Sequence, residues 1–177
     1  MSERALELAR RLDAGALISR ALSYRGGARC CSGDREGLDD LSRALEVAES
    51  IGSSQESALA LLIRAEVEWA NDGPTVALET VRAGRDLAER RGLMDMVFFF
   101  DALSLGSLFD LGAWDELLLV ADDMIRSSRQ AGGHYAPALA QRWITQVLLW
   151  RDRYDEASET AASLRTEAME MRDAQVL

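Results

Sequence analysis

Residues 95–117 read DMVFFFDALSLGSLFDLGAWDEL, an apolar run that stops at Gly112 and restarts behind Trp114, Asp115 and Glu116. The first part crowds Val97, Phe98, Phe100, Leu103, Leu105, Leu108 and Phe109 around the small Gly106 and Ser107, as in a helix packed on two sides. Beyond the Gly112-Ala113 turn, Leu117, Leu118, Val120, Ala121, Met124 and Ile125 recur at helical spacing. Asp115 and Glu116 stand in the first turn of that second helix, where the positive end of the helix dipole favours carboxylates. Two helices joined by a tight turn are therefore expected, with Gly132-Gly133 ending the second.

The same arrangement recurs along the chain. Turn signatures lie at Gly33-Asp34, Gly73-Pro74, 113–116 and 153–156, about 40 residues apart, and Gly52, Gly92 and Gly132 fall midway between them. A fixed period of this size marks stacked repeats, in which one helix pair cannot bury its apolar face without its neighbours. The fold expected is all-α: a right-handed α-solenoid of antiparallel helix pairs, about 40 residues per pair. The chain reads as a single repeat domain. Residues 1–14 supply the second helix of a preceding unit, 15–53, 54–93, 94–133 and 134–172 make units one to four, and 173–177 open a truncated unit.

Unit one is expected to pair helices at 16–32 and 35–51, with Leu38, Leu41, Leu45 and Ala48 as the inner stripe and Gly52 as a left-handed stop. Unit two pairs 54–71 with 74–91, and Pro74 is pre-set for the first helical position. Unit four pairs 134–152 with 153–171, where Ala157, Ala161, Leu164 and Ala168 form the inner stripe. Neither end presents the polar outer face of a capping repeat, so a segment of a longer array is expected.

Composition excludes several function classes. The 177 residues are 48% hydrophobic and 28% charged with two prolines, an ordinary globular and helix-favouring balance. A formal charge of −10 opposes direct nucleic-acid binding, which needs a basic face to neutralise phosphates. All 20 basic residues are arginine, for which codon bias in a GC-rich genome is the plain explanation. Without lysine there is neither a phosphate-binding loop ending in Gly-Lys-Ser/Thr nor a Schiff-base nucleophile. Cys30 and Cys31 are adjacent and point about 100° apart on a helix, so they neither bridge each other nor share a metal, and a reducing compartment fits. No basic leader followed by an apolar run and no apolar stretch of membrane-spanning length is found, and a cytoplasmic, soluble chain is expected.

The segments Leu105-Gly106-Ser107-Leu108-Phe109 and Gly112-Ala113-Trp114-Asp115-Glu116-Leu117 resemble the tetratricopeptide pattern of Leu-Gly, an aromatic, then Gly-x-aromatic-Asp-Glu-Ala. Tyr154-Asp155-Glu156-Ala157 repeats its second half, and Gly26 to Asp34 resembles the opening of bacterial variants of the repeat. The likeness covers about residues 3 to 172. The period here exceeds the familiar tetratricopeptide length of about 34, and Pro74-Thr75 stands where an aromatic and an acid are usual. Longer helices with glycine-ended second helices are similar to the repeat regions of large bacterial regulators, such as LuxR-type ATP-dependent transcriptional activators and multidomain adenylate cyclases. The resemblance implies a noncatalytic scaffold within a signalling or transcriptional regulator.

Catalytic and metal-binding arrangements find little support. His134 is the sole histidine and reads as a loop residue beside Gly132-Gly133; neither a Ser-His-acid set nor a zinc site has its partners at suitable spacing. The pairs Asp39-Asp40 and Asp122-Asp123 read as solvated helix surface, and Gly26-Gly27 as a close helix contact. No catalytic residue, cofactor or metal ligand is assigned.

The aromatics point elsewhere. Phe98, Phe99 and Phe100 are consecutive and cover three directions, so one of them looks out of the core. First helices line the concave face of such a solenoid, and the positions expected to face it are Leu62, Glu66 and Trp69, then Phe99 and Phe109, then Arg142, Gln146, Leu149 and Trp150. Trp143 and Trp150 lie on nearly one face of their helix and offer an alternative cover for a following unit. The function expected is capture of a peptide, a partner protein or another domain of the same polypeptide, with aromatic anchors and flanking charge. A small-ligand sensor with an apolar pocket is the alternative, an enzyme is the least supported reading, and homodimerisation through uncapped ends is a further route to self-association.

Overall fold

The computed structural model describes residues 2–131 and 135–171, and every regular element among them is an α-helix. In chain order these are α1 (Ser2–Arg11), α2 (Gly15–Cys31), α3 (Gly37–Ser50), α4 (Ser54–Asn71), α5 (Pro74–Arg90), α6 (Met94–Asp110), α7 (Trp114–Ala131), α8 (Tyr135–Trp150) and α9 (Tyr154–Met171). Their bounds follow the apolar spacing closely. The clearest departure is at α3, which starts at Gly37 because residues 34–36 form a tight turn: the Asp34 carboxylate accepts from the Glu36 amide at 3.1 Å and the Asp34 carbonyl from the Gly37 amide at 3.1 Å. Gly132, Gly133, His134 and the turn expected near Arg172 and Asp173 lie outside the described residues. None of the described helices is long and apolar enough to cross a membrane.

One turn design serves both glycine series. Gly33, Gly52, Gly92 and Gly112 all take positive φ, between 67° and 87°. Just beyond each, an amide reaches five residues back: Asp34 to the Arg29 carbonyl, Ser53 to Ala48, Leu93 to Ala88 and Ala113 to Leu108, at 2.9 to 3.0 Å. These bonds occupy carbonyls that a helix end would otherwise leave without partners. Asp13 and Asp152 hold the same left-handed position at φ 48° and 57°, with Ala14 bonded to Ala9 and Arg153 to Leu148. Among the described residues this turn closes every helix junction except α4–α5, where Gly73 at φ 97° precedes Pro74 instead.

Starts are specified as locally as stops. Ser53 caps α4 by accepting from the Glu56 amide, and Pro74 opens α5 behind Gly73. The Glu56 side chain leaves the cap and turns instead onto Arg20 of α2.

The chain divides into two compact units, residues 1–100 and 101–177, and the division falls inside α6. In the first, α2 packs on α1, α3 and α4, α3 also packs on α4, and α4 on α5. Leu6, Leu22, Ala44 and Ala60 form one core cluster across α1 to α4, and Cys30, Leu41 and Val67 form another across α2, α3 and α4. The expected α3 stripe is the one that is buried: Leu41 and Ala48 fully, Leu38 and Leu45 in part. Two glycines let α2 and α3 touch at backbone distance, since a Cβ on Gly26 would sit 2.6 Å from the Gly37 carbonyl oxygen and one on Gly37 would meet the Gly26 carbonyl. At Gly84 of α5 the space of a side chain is filled by the ring of Phe100, which is fully buried.

In the second unit α8 packs on both α7 and α9. Leu105 and Leu108 of α6, Leu117 and Ala121 of α7, Val147 of α8 and Ala157 of α9 are buried. The alanine stripe expected on α9 is only partly realised, because Ala161 is exposed and Leu164 half-buried; the packed face of α9 turns away from Ala161. Successive packed helices in both units are consistent with a helical solenoid.

Candidate functional site

Arginine–carboxylate pairs link side chains within and between the helices of the first unit. Arg25 of α2 grips Asp40 of α3 with both arms of its guanidinium, Nε to Oδ2 at 2.8 Å and Nη2 to Oδ1 at 2.5 Å, and Arg29 adds a bond of 3.2 Å. Asp40 is 1% exposed, which corrects the expectation that Asp39-Asp40 is simply solvated surface: Asp39 is exposed, but its neighbour turns inward onto α2. Burial by itself pushes the Asp40 carboxyl up, yet the bonds from Arg25 and Arg29 outweigh it and hold the group below the usual carboxylate range. On α4, Glu56 pairs with Arg20, while Glu68 pairs with Arg64 at 2.7 Å and accepts from Thr80 at 2.5 Å. The planar fork of arginine suits these pairs, in which the carboxylate is buried and the guanidinium reaches toward solvent.

One carboxylate of α4 is treated differently. Glu66 stands at a hollow of about 370 Å³ between α2 and α4. The α2 side contributes Tyr24, Gly27, Ala28, Cys30 and Cys31; the α4 side contributes Ile63, Glu66, Val67, Ala70 and Asn71. The hollow opens to solvent, since Tyr24, Ala28, Cys31, Ala70 and Asn71 are all exposed. Gly27 keeps the α2 wall low where the helices approach, for a Cβ there would lie 2.8 Å from Ile63 Cγ2. The Glu66 side chain is exposed as a whole, but its carboxyl has traded water for these walls, and that desolvation raises its pKa.

Of the expected groove positions, Glu66 is the one that enters this hollow. Leu62 and Trp69, also on α4, are half-buried and not part of its lining. The α4 residues at the hollow are Ile63, Glu66, Val67 and Ala70, of which Val67 is buried and Ile63 half-buried, about one residue around the helix axis from Leu62 and Trp69. Tyr24, Gly27, Ala28 and Cys31 on α2 escaped the sequence reading; their three- and four-residue spacing on one helix face was the available signal. The phenylalanine triplet resolves as expected, with Phe100 buried, Phe98 half-buried and Phe99 46% exposed. The rings of Phe98 and Phe99 meet edge to face, their centroids 5.4 Å apart.

The second unit gathers a different set. Phe109 is half-buried, with its ring 6.2 Å from Trp114 and 5.4 Å from Trp143. The Trp114 indole donates to the Phe109 carbonyl at 3.2 Å, tying the start of α7 to the end of α6. Trp150 lies 6.5 Å from Trp114 and remains 69% exposed, beside Leu149 at 46%. Arg142 is exposed with its guanidinium 5.4 Å from the Trp143 ring, and Gln146 is half-buried. Arg151 covers Trp114 at 5.8 Å while pairing with Asp115 at 2.7 Å. Phe109 is thus engaged in packing, whereas Leu149 and Trp150 present free apolar surface.

Cys30 is buried and Cys31 exposed, both as free thiols. Among the described residues no three His, Cys, Asp or Glu side chains converge as a metal site; His134 lies outside them. No protein-family model matches this chain, and no curated protein matches it significantly.

Proposed function

We propose that this chain is a noncatalytic interaction segment of tetratricopeptide-like character, with its helix pairs stacked as a right-handed α-solenoid, that captures a peptide or partner domain on the face lined by first helices. The observation that carries the reading is the open hollow between α2 and α4, mostly apolar on both walls and edged by Tyr24 and Asn71, with Glu66 as its one carboxylate. An extended or helical segment needs such an open trough, while a small metabolite is best held by enclosure. Exposed Phe99 in the first unit, and Leu149 with Trp150 in the second, supply the aromatic and aliphatic surface from which binding anchors are usually drawn. The place of the segment is within a larger bacterial signalling or transcriptional regulator, acting in the cytoplasm. The volume of the hollow, about 370 Å³, falls in the range of small-molecule sites and favours a ligand-sensing domain as the second reading.

Selection of peptides from a displayed library against the intact chain tests the assignment. Selected peptides are expected to lose at least about tenfold in affinity on Ile63→Asp or Phe99→Ser, a loss of about 1.4 kcal/mol or more. The control Leu119→Asp, at a side chain 69% exposed on α7, leaves affinity unchanged. Peptides indifferent to Ile63 and Phe99 in variants that remain helical would refute the groove.

A further inference from the structure

Glu66 stands apart among the acidic residues of the first unit. The α2 arginines are already committed, Arg20 to Glu56, Arg25 to Asp40 and Arg29 to Asp34, Glu36 and Asp40. Arg64 of α4 is committed to Glu68, and Arg35 at the mouth of the α2–α3 turn to Asp72. No guanidinium is among the groups that line the hollow; those that can titrate there are Glu66 itself, the Tyr24 phenol and the Cys30 and Cys31 thiols. The fold therefore pairs its buried carboxylates internally, whereas Glu66, partly stripped of water, lines a hollow whose walls hold no guanidinium.

We propose that the α2/α4 hollow receives the cationic side chain of an arginine- or lysine-bearing peptide segment, with Glu66 as its counter-ion and Tyr24 as its aromatic wall. This rests on the peptide-binding reading above and names the chemistry of the partner. A long basic side chain matches each wall: its methylene stem covers Ile63, Val67 and Ala70, its charge meets a carboxylate in a setting poorer in water than open surface, and the ring of Tyr24 offers a π face to the same cation. A neutral side chain would leave Glu66 desolvated and unpaired, and an acidic one would add repulsion. The net charge of −10 draws basic segments toward the protein from a distance.

The test uses the intact chain and the probe acetyl-Leu-Leu-Arg-Leu-Leu-amide, with variants carrying Lys, Gln or Glu at the centre. Affinity is read by calorimetry, and the site by NMR shifts of the Ile63 and Val67 methyl groups. The Arg and Lys peptides are expected to bind at least about tenfold tighter than the Gln and Glu peptides, to shift both methyls, and to lose this advantage as salt is raised. Glu66→Gln, a near-isosteric change at an exposed residue, should reduce the Arg-over-Gln preference to about one without altering helicity. Equal affinity for Arg and Gln peptides, or a preference that survives Glu66→Gln, overturns the cation assignment while leaving the groove in place. Absence of methyl shifts with every peptide overturns both the inference and the reading it rests on. Argininamide binding as tightly as the pentapeptide would overturn the peptide in favour of a free small cation.

Discussion

Glu56, Glu66 and Glu68 share α4, yet only the first and last have arginine partners, and this difference has a measurable thermodynamic signature. Desolvation raises the Glu66 pKa, so the folded state binds its proton more tightly than the unfolded chain does. The charged form therefore costs stability, a cost absent below the unfolded value of about 4.3 and growing as pH rises through the folded value. Glu66→Gln is expected to unfold at higher urea concentration than the parent at pH 7 and at the same concentration near pH 3.5. A variant less stable than the parent at pH 7 would show that Glu66 has a favourable partner after all. Residue fates of this kind were unequally legible. The outward turn of Phe99 follows from the angle between successive helical residues, but the burial of Asp40 depends on Arg25, fifteen positions away on another helix, which no local pattern announces.

Helices and their stops were read well because both are specified by neighbours in sequence. Apolar spacing marks the buried stripe of α3, and glycine marks the left-handed residue after α2, α3, α5 and α6. The two exceptions, Asp13 and Asp152, fall where helix ends are expected, but their left-handed φ is not legible because aspartate also occurs in ordinary loops; an L side chain at positive φ carries a cost that glycine does not. Asp13→Gly is expected to stabilise the first unit by about 0.5 kcal/mol, less than the full left-handed penalty because glycine also frees the unfolded chain. Asp152→Gly should gain less, since the Asp152 carboxylate accepts a bond of 2.7 Å from the Tyr154 hydroxyl that the substitution removes. Urea midpoints of the two variants check the order, and a loss at position 13 would refute left-handed strain as the relevant quantity. Which residues of α4 meet the hollow is an element property that periodicity alone does not resolve. The hollow takes Ile63, Glu66, Val67 and Ala70 rather than Leu62 and Trp69, a difference within the breadth of an ordinary apolar face.

At the scale of the whole molecule, the repeat period treats all junctions alike, whereas the structure groups residues 1–100 and 101–177 into separate compact units divided within α6. The Asp40 site belongs wholly to the first. Removing a buried charge partner is costly, so Asp40→Ala should destabilise that unit by about 3 kcal/mol at neutral pH. Hydrogen exchange is expected to accelerate across α2, α3 and α4 and to stay nearly unchanged in α8, as for regions that open separately. Uniform acceleration through α8 would show one cooperative unit instead. The Asp40 pKa is held low in the fold, so its contribution is fully present above the unfolded value of about 3.9 and disappears as pH falls through the folded value. The difference between parent and Asp40→Ala should shrink in step. A last consequence comes from Gly84 and Phe100, which share a single volume at the close of the first unit. Evolution cannot sample those two positions independently: a lineage that acquires a methyl group at 84 keeps its packing only by trimming the ring at 100. Descendants of a common ancestor should therefore carry a coupled small-and-large exchange between them, a heritable mark of this packing that neither residue would display singly.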